Sequence, residues 1–216
     1  MIWAILSDVH GRSGLLRRVL ADAAERGASQ YLCLGDIGST VVLDLLAEAQ
    51  ATCVFGNWEA SGLRGMDKPY RGLVGRWPAQ YRADGLWAAH ASPVWPEGLA
   101  IAGVVEYLRQ HDLHWLALFP SLQRSDEARW AALAELESAG AAAFFHGHTH
   151  VQEAWRWRPD ATLARLKGAE FAIEDDGSRY LIGVGSVGDP QDGDGACYAL
   201  YDDAARRVEW RRLEGR

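Results

Sequence analysis

Ile2-Trp3-Ala4-Ile5-Leu6-Ser7-Asp8-Val9-His10-Gly11-Arg12 decides how this chain folds. Five uncharged residues, mostly apolar, end at a carboxylate and an imidazole two positions apart, followed by a glycine. An apolar run of this length bounded by turn residues reads as a buried strand. On an extension of that strand Asp8 and His10 would project to the same side. The arrangement recurs twice: residues 31–34 lead into Gly35-Asp36, and residues 52–55 into Gly56-Asn57. Between the first two runs, Leu15, Leu16, Val19, Leu20 and Ala23 fall at helical spacing. Ser13 is the expected N-cap and Gly27 the stop of a helix running to about Arg26. A second helix is expected over residues 40–49. The order β-α-β-α-β predicts parallel strands joined by right-handed crossovers. Side chains at the carboxyl ends of such strands meet in one crevice.

Working outward, residues 59–78 carry Gly, Arg and Lys without clear periodicity and read as a long loop. A hairpin follows, with strands at 80–82 and 86–90 around a turn at Asp84-Gly85. Residues 97–140 change to a helical pattern (Val104, Val105 and Leu108, then Trp130, Leu133 and Leu136) and read as a helical insertion beside the crevice. An apolar strand at 142–145 delivers His146-Gly147-His148-Thr149-His150. The remainder predicts antiparallel strands at 154–157, 169–174, 180–185, 197–201 and 207–212, with Asp175-Asp176-Gly177 as a hairpin turn. The whole, residues 1–216, is expected to be a single α/β domain.

A net charge of −7 argues against a face for duplex nucleic acid. It leaves room for a phosphorylated small molecule, because bound divalent cations would reverse the local sign. No apolar run has the length of a membrane span, and Met1-Ile2-Trp3 enters a strand with no basic leader, so no membrane partner is expected. Cys33, Cys53 and Cys197 are odd in number and lie in apolar runs, which predicts buried reduced thiols and a cytoplasmic location. The richness in Trp is compatible with a homodimer.

Taken singly, Asp8-x-His10, Gly35-Asp36 and Gly56-Asn57 are as well read as turn chemistry, and His90 as an ordinary strand-end histidine. The His146–His150 cluster is more telling, since three imidazoles in five residues are costly to leave as a mere turn. Together they form a set of oxygen and imidazole donors, each behind its own strand. Such a set suits Mn, Fe, Ni or Zn better than Ca or Mg alone.

Asp8-x-His10, Gly35-Asp36, Gly56-Asn57, His90 and Gly147-His148-Thr149-His150 resemble the signature of calcineurin-like metallophosphoesterases. His90-Ala91-Ser92-Pro93 and Gly185-Ser186-Val187-Gly188-Asp189-Pro190 bring the resemblance nearest to the small bacterial and archaeal phosphodiesterase-like branch. The resemblance implies a four-layer α-β-β-α sandwich. It implies two divalent metal ions, one held by Asp8, His10 and His150, the other by Asn57, His90 and His148, with Asp36 bridging both. Mn is the first cofactor it suggests. Two cations ~3.5–4 Å apart polarise a shared water into hydroxide and clamp the phosphoryl oxygens. The implied activity is phosphoester hydrolysis through that hydroxide, with Asp36, Asn57 and His90 at the catalytic centre, on a small phosphate ester or nucleotide-like substrate. Its rivals are a scaffold that keeps the fold without turnover and a two-metal hydrolase of another bond, such as an amide.

The chain departs from the family pattern in three places. Phosphatase members carry Gly-Asn-His, whereas Trp58 follows Asn57 here. An indole N–H donates a hydrogen bond but exchanges no proton near neutrality, so a bias toward phosphodiesters or good leaving groups is expected. Asp36 is followed by Ile37-Gly38-Ser39, without the phosphate-gripping Arg of protein phosphatases and dinucleoside-tetraphosphate hydrolases. Arg12 is the candidate substitute clamp, an exposed turn Arg being the alternative. His146 is an extra imidazole, read as an outer-shell or proton-shuttling group or as a buried, hydrogen-bonded histidine.

Overall fold

The computed structural model describes residues 1–83 and 85–214. The chain begins β1 (Ile2–Leu6), α1 (Ser13–Glu25), β2 (Gln30–Cys33), α2 (Thr40–Glu48) and β3 (Thr52–Cys53). It continues through α3 (Asn57–Gly62) and α4 (Lys68–Val74) to the hairpin β4 (Gln80–Ala83) and β5 (Leu86–Ala89). Helices α5 (Val104–Gln110) and α6 (Asp126–Ser138) precede β6 (Ala143–His146) and β7 (Gln152–Trp157). The rest is β8 (Leu163–Arg165), β9 (Glu170–Ala172), β10 (Arg179–Val184), β11 (Ala196–Asp202) and β12 (Arg207–Leu213).

The strands form two six-stranded sheets, ordered β3-β2-β1-β11-β12-β9 and β4-β5-β6-β10-β7-β8. In the first, β1, β2 and β3 run parallel. In the second, β5, β6 and β10 run parallel. Alternation along each strand sorts its side chains between two cores. On β1, Trp3 and Ile5 join Leu32, Phe145, Tyr180 and Ile182 in the layer between the sheets. Ala4 and Leu6 point the other way, onto Leu16 and Val19 of α1 and Leu43 of α2. The outer face of the second sheet offers Phe144 and Leu181 to Ala132, Leu133 and Leu136 of α6. Helix, sheet, sheet, helix is thus the four-layer order expected. Each fully buried Leu, Ile or Phe in these layers contributes about 1.5–3 kcal/mol over its exposed state.

Several local expectations are corrected. Residues 59–78 are not a loop: α3, a 3-10 turn (Leu63–Gly65) and α4 occupy most of them. Helices of six and seven residues are too short to display a period, and their signals lie at their starts, Gly56 before α3 and Pro69 in the first turn of α4. Ser13 is the first helical residue of α1 rather than its cap; Arg12 holds the cap position, with no side-chain cap bond. Asp175-Asp176-Gly177 does not close a hairpin, because β9 pairs with β12 and β10 with β6 and β7, so this turn carries the chain from one sheet to the other. The short edge strand β8, paired with β7, escaped the sequence reading. The β4–β5 hairpin forms as expected, although Asp84 of its turn lies outside the described residues.

Residues 97–140 divide their work. Val104 and Leu108 of α5 enter the first helix layer, while α6 is the outer layer of the second sheet. Cys33, Cys53 and Cys197 are free and buried. Among the described residues no helix is long and apolar enough to cross a membrane.

Candidate metal centre

Both sheets present the ends of their parallel strands at the same rim. Asp8 follows β1, Asp36 follows β2 and Asn57 follows β3; from the second sheet His90 follows β5, and His148 and His150 lie on the turn after β6. Backbone bonds knit the rim together: Asp8 N–H donates to Gly35 O (3.0 Å), His10 N–H to Asp36 O (3.0 Å) and Gly147 N–H to His90 O (2.9 Å). Two glycines let the turns approach this closely. A Cβ on Gly56 would collide with the Asp36 carboxylate, and one on Gly147 with the Ser7 side chain.

Among the described residues nine non-glycine positions have positive φ, and five of them are Asp8, His10, Asp36, His148 and His150. Left-handed backbone is disfavoured for residues with a Cβ and concentrates where function fixes a geometry. Here it turns five donors inward.

The donors meet in two groups. Asp8, His10 and His150 bring ligand atoms within 4.8 Å of one another, and so do Asp8, Asp36 and His90. His10 Nε2 lies 3.2 Å from His150 Nε2, which is 3.3 Å from Asp8 Oδ1. His90 Nε2 is 3.0 Å from Asn57 Oδ1, 3.2 Å from His148 Nδ1 and 3.6 Å from Asp36 Oδ2. Asp8 therefore stands between the groups, belonging to both. His146 stays apart: it is fully buried, its ring stacks on Phe144, and its Nδ1 lies 3.1 Å from Gly147 O. Arg12 and Trp58 line the crevice in front of the donors, and the Trp58 ring meets His10 edge-on at 4.4 Å.

This arrangement fits divalent cations. Leu34 O takes the Nδ1–H of His90 at 2.8 Å, and Asp189 O that of His150 at 2.6 Å. Each neutral imidazole then turns the lone pair of Nε2 toward other acceptors. Asp8 Oδ1 is buried without a hydrogen-bond partner and faces the Nε2 atoms of His150 at 3.3 Å and His10 at 3.8 Å. Lone pairs facing one another in a buried space require protons or a cation between them.

Without a cation, protons answer that requirement. Burial would lower the His150 pKa, but the Asp8 carboxylate outweighs it and brings the imidazole up to about 9. His90 is likewise raised, burial being overcome by Asp36, Asp8 and Glu59. Burial pushes Asp36 up to about 7, and drives His148 down to about 3 beside His90. Burial opposes the ionisation of Asp8 too, yet His90 and His150 hold its carboxyl well below the usual range. A metal ligated by His150 would therefore have to displace this proton. At pH 7.5 loading should expel at least one proton, and affinity should rise about tenfold per pH unit per proton until the pH passes the His150 value. Calorimetric titration of the metal-free protein with Mn in two buffers of different ionisation enthalpy measures this. Identical heats in both would contradict the assignment of His150 as a ligand.

Sequence reading missed Glu59. Its carboxylate is 1% exposed and accepts the backbone N–H of Asp36 (2.7 Å), Ile37 (2.9 Å) and Gly56 (2.8 Å). It thereby fixes the turn bearing Asp36 against the turn bearing Asn57. The signal was present: Glu59 stands three residues after Gly56, the spacing of a capping box. Ser186 is a second such residue, donating to Asp8 O and accepting from Asp189 N–H, both at 2.8 Å.

A double-sheet sandwich with acidic and imidazole donors on one rim defines a class of metal-dependent proteins. The profile of the Calcineurin-like phosphoesterase superfamily domain matches residues 1–205, and the chain belongs to that family. An uncharacterized protein of Methanocaldococcus jannaschii is 26% identical over 225 residues, covering 98% of this chain and 86% of that protein. Among solved structures, a metallophosphoesterase from Sphaerobacter thermophilus has 22% identity and a TM-score of 0.72, over 100% of this chain and 90% of the other. A hypothetical protein from Pyrococcus horikoshii OT3 has 13% identity and a TM-score of 0.62, over 100% and 88%. These structures share the fold.

Proposed function

We propose that this protein is a dinuclear metal-dependent phosphoesterase that prefers phosphodiesters, with Mn the first metal to supply. The convergence of seven donors on one rim, five of them on left-handed backbone, carries this reading. Asp8, His10 and His150 would hold one cation, and Asn57, His90 and His148 the other, with Asp36 joining them and Asp8 Oδ1 within reach of both groups. Bound there, the cations would supply Lewis acidity toward a phosphoryl oxygen and acidify a water for in-line attack. The chain's own groups do the rest. Leu34 O and Asp189 O set the imidazole tautomers, and Glu59 holds the two loops in register. Arg12 is exposed at the crevice and, among the described residues, pairs with no carboxylate, which leaves its guanidinium for a phosphate oxygen. The buried free thiols support a reducing compartment such as the cytoplasm.

Trp58 sets the preference. At the position beside Asn57 it offers no proton for a poor leaving group, so esters that depart unaided are favoured. Protein supplied with Mn should hydrolyse bis(p-nitrophenyl) phosphate faster than p-nitrophenyl phosphate. Absence of turnover on either, with Mn, Fe, Ni or Zn, would defeat the assignment and favour a fold that binds without catalysis. Trp58→His should raise turnover of an alkyl monoester, whose leaving oxygen needs a proton, relative to the p-nitrophenyl diester by about tenfold or more, the usual scale of general acid help being 10²–10⁴. An unchanged ratio would remove Trp58 from the argument.

A further inference from the structure

A cavity of about 360 Å³ opens beside the crevice, enclosed by the start of α2, by α3 and by α4. Its lining is chiefly apolar: Ile37, Leu43 and Val74 are buried beneath it, and Met66 and Tyr70 are half-buried at its sides. Trp58 lines both this cavity and the crevice, and at 50% exposure it is the partition between them. The chain also runs directly from one to the other, Asp36 lining the crevice and Ile37 the cavity. A phosphate among the donors would therefore carry its ester substituent to the cavity's mouth.

We propose that this cavity receives a flat aromatic group of nucleobase size, carried by the ester whose phosphate occupies the crevice; the placement of the phosphate rests on the phosphoesterase reading above. Three observations select that occupant. The volume is at the small end for ligand sites, which run ~300–1,000 Å³, and suits one ring system better than a peptide or a long acyl chain. Trp58 and Tyr70 offer aromatic surface on which rings stack. The exposed rim carries polar groups for the edge of a ring: the Thr40 hydroxyl, and the Asp67 carboxylate, which makes no cap bond to α4 although it stands at the cap position.

The test compares two phosphates that differ only in the base. Titrated calorimetrically into Mn-loaded protein, adenosine 5′-monophosphate should bind at least tenfold more tightly than ribose 5-phosphate, equivalent to about 1.4 kcal/mol. Met66→Trp, which fills the cavity from its side, and Thr40→Trp, which fills it from the exposed rim, should each bring the two affinities to within about twofold. The second variant serves if the first does not fold. Equal affinities in the unaltered protein, tighter binding of octyl phosphate than of the nucleotide, or a preference that survives both substitutions would each overturn the proposal. Diester turnover, measured alongside, separates the two readings. Turnover with no base-dependent binding sinks the cavity assignment alone, base-dependent binding without turnover sinks the phosphoesterase assignment alone, and the loss of both sinks both.

Discussion

Asp8→Asn is expected to lower diester turnover about a thousandfold and to leave the protein unable to retain two divalent ions through dialysis. Asp8 is fully buried, its Oδ1 has no hydrogen-bond partner, and it belongs to both donor groups. The substitution keeps the shape and removes the charge. Its other oxygen accepts the His148 backbone N–H at 2.9 Å, so Asn can still hold that turn through its carbonyl oxygen. What vanishes is the anion that draws cations toward His10 and His150. A thousandfold in rate is about 4 kcal/mol of barrier, the scale expected when a metal's contribution to the transition state is lost. Metal content by elemental analysis, turnover and far-ultraviolet circular dichroism together check the claim. Two ions per chain with full activity would contradict it.

Glu59→Ala should be the most damaging substitution away from the donors themselves, destabilising the fold by about 3–9 kcal/mol, since each of three orphaned buried N–H groups costs ~1–3 kcal/mol. Three backbone donors lose their acceptor at once, those of Asp36, Ile37 and Gly56. Glu59→Gln separates charge from geometry. One side-chain oxygen accepts from both Asp36 and Gly56 and the other from Ile37, so an amide keeps the first pair and turns an N–H against the third. It should cost about 1–3 kcal/mol, a third or so of the alanine effect. Turnover in Glu59→Gln should fall by ~10–100-fold, as supporting residues around metal ligands commonly do. Denaturant midpoints and kcat measure the two effects. A Gln variant as stable and active as the parent would show that the two turns hold without the carboxylate.

Much of the candidate centre was legible because its seven donors stand at the ends of five apolar runs. Ile2–Leu6 and the strand before Asp36 needed only their lengths and the glycine or polar residue behind them to be placed. The resemblance then joined donors from distant parts of the chain. The segment between Gly56 and the β4 hairpin was opaque for a physical reason: α3 and α4 are one to two turns long, and tertiary packing of Leu63 and Val74 holds them rather than a periodic stripe. Glu59 was missed because a carboxylate serving backbone amides resembles any surface Glu until its surroundings are known. The Asp175-Asp176-Gly177 turn misled because turn chemistry reports a reversal of direction but not whether the flanking strands pair.

The rim draws Asp8, His10, Asp36 and Asn57 from one sheet, and His90, His148 and His150 from its neighbour. Cations shared by these residues would act as a rivet through the sandwich, so that prising its halves apart means releasing the ions first. Saturating metal should therefore raise the melting temperature in proportion to the logarithm of its concentration. Chelators would then act as denaturants of a protein whose interior they never touch.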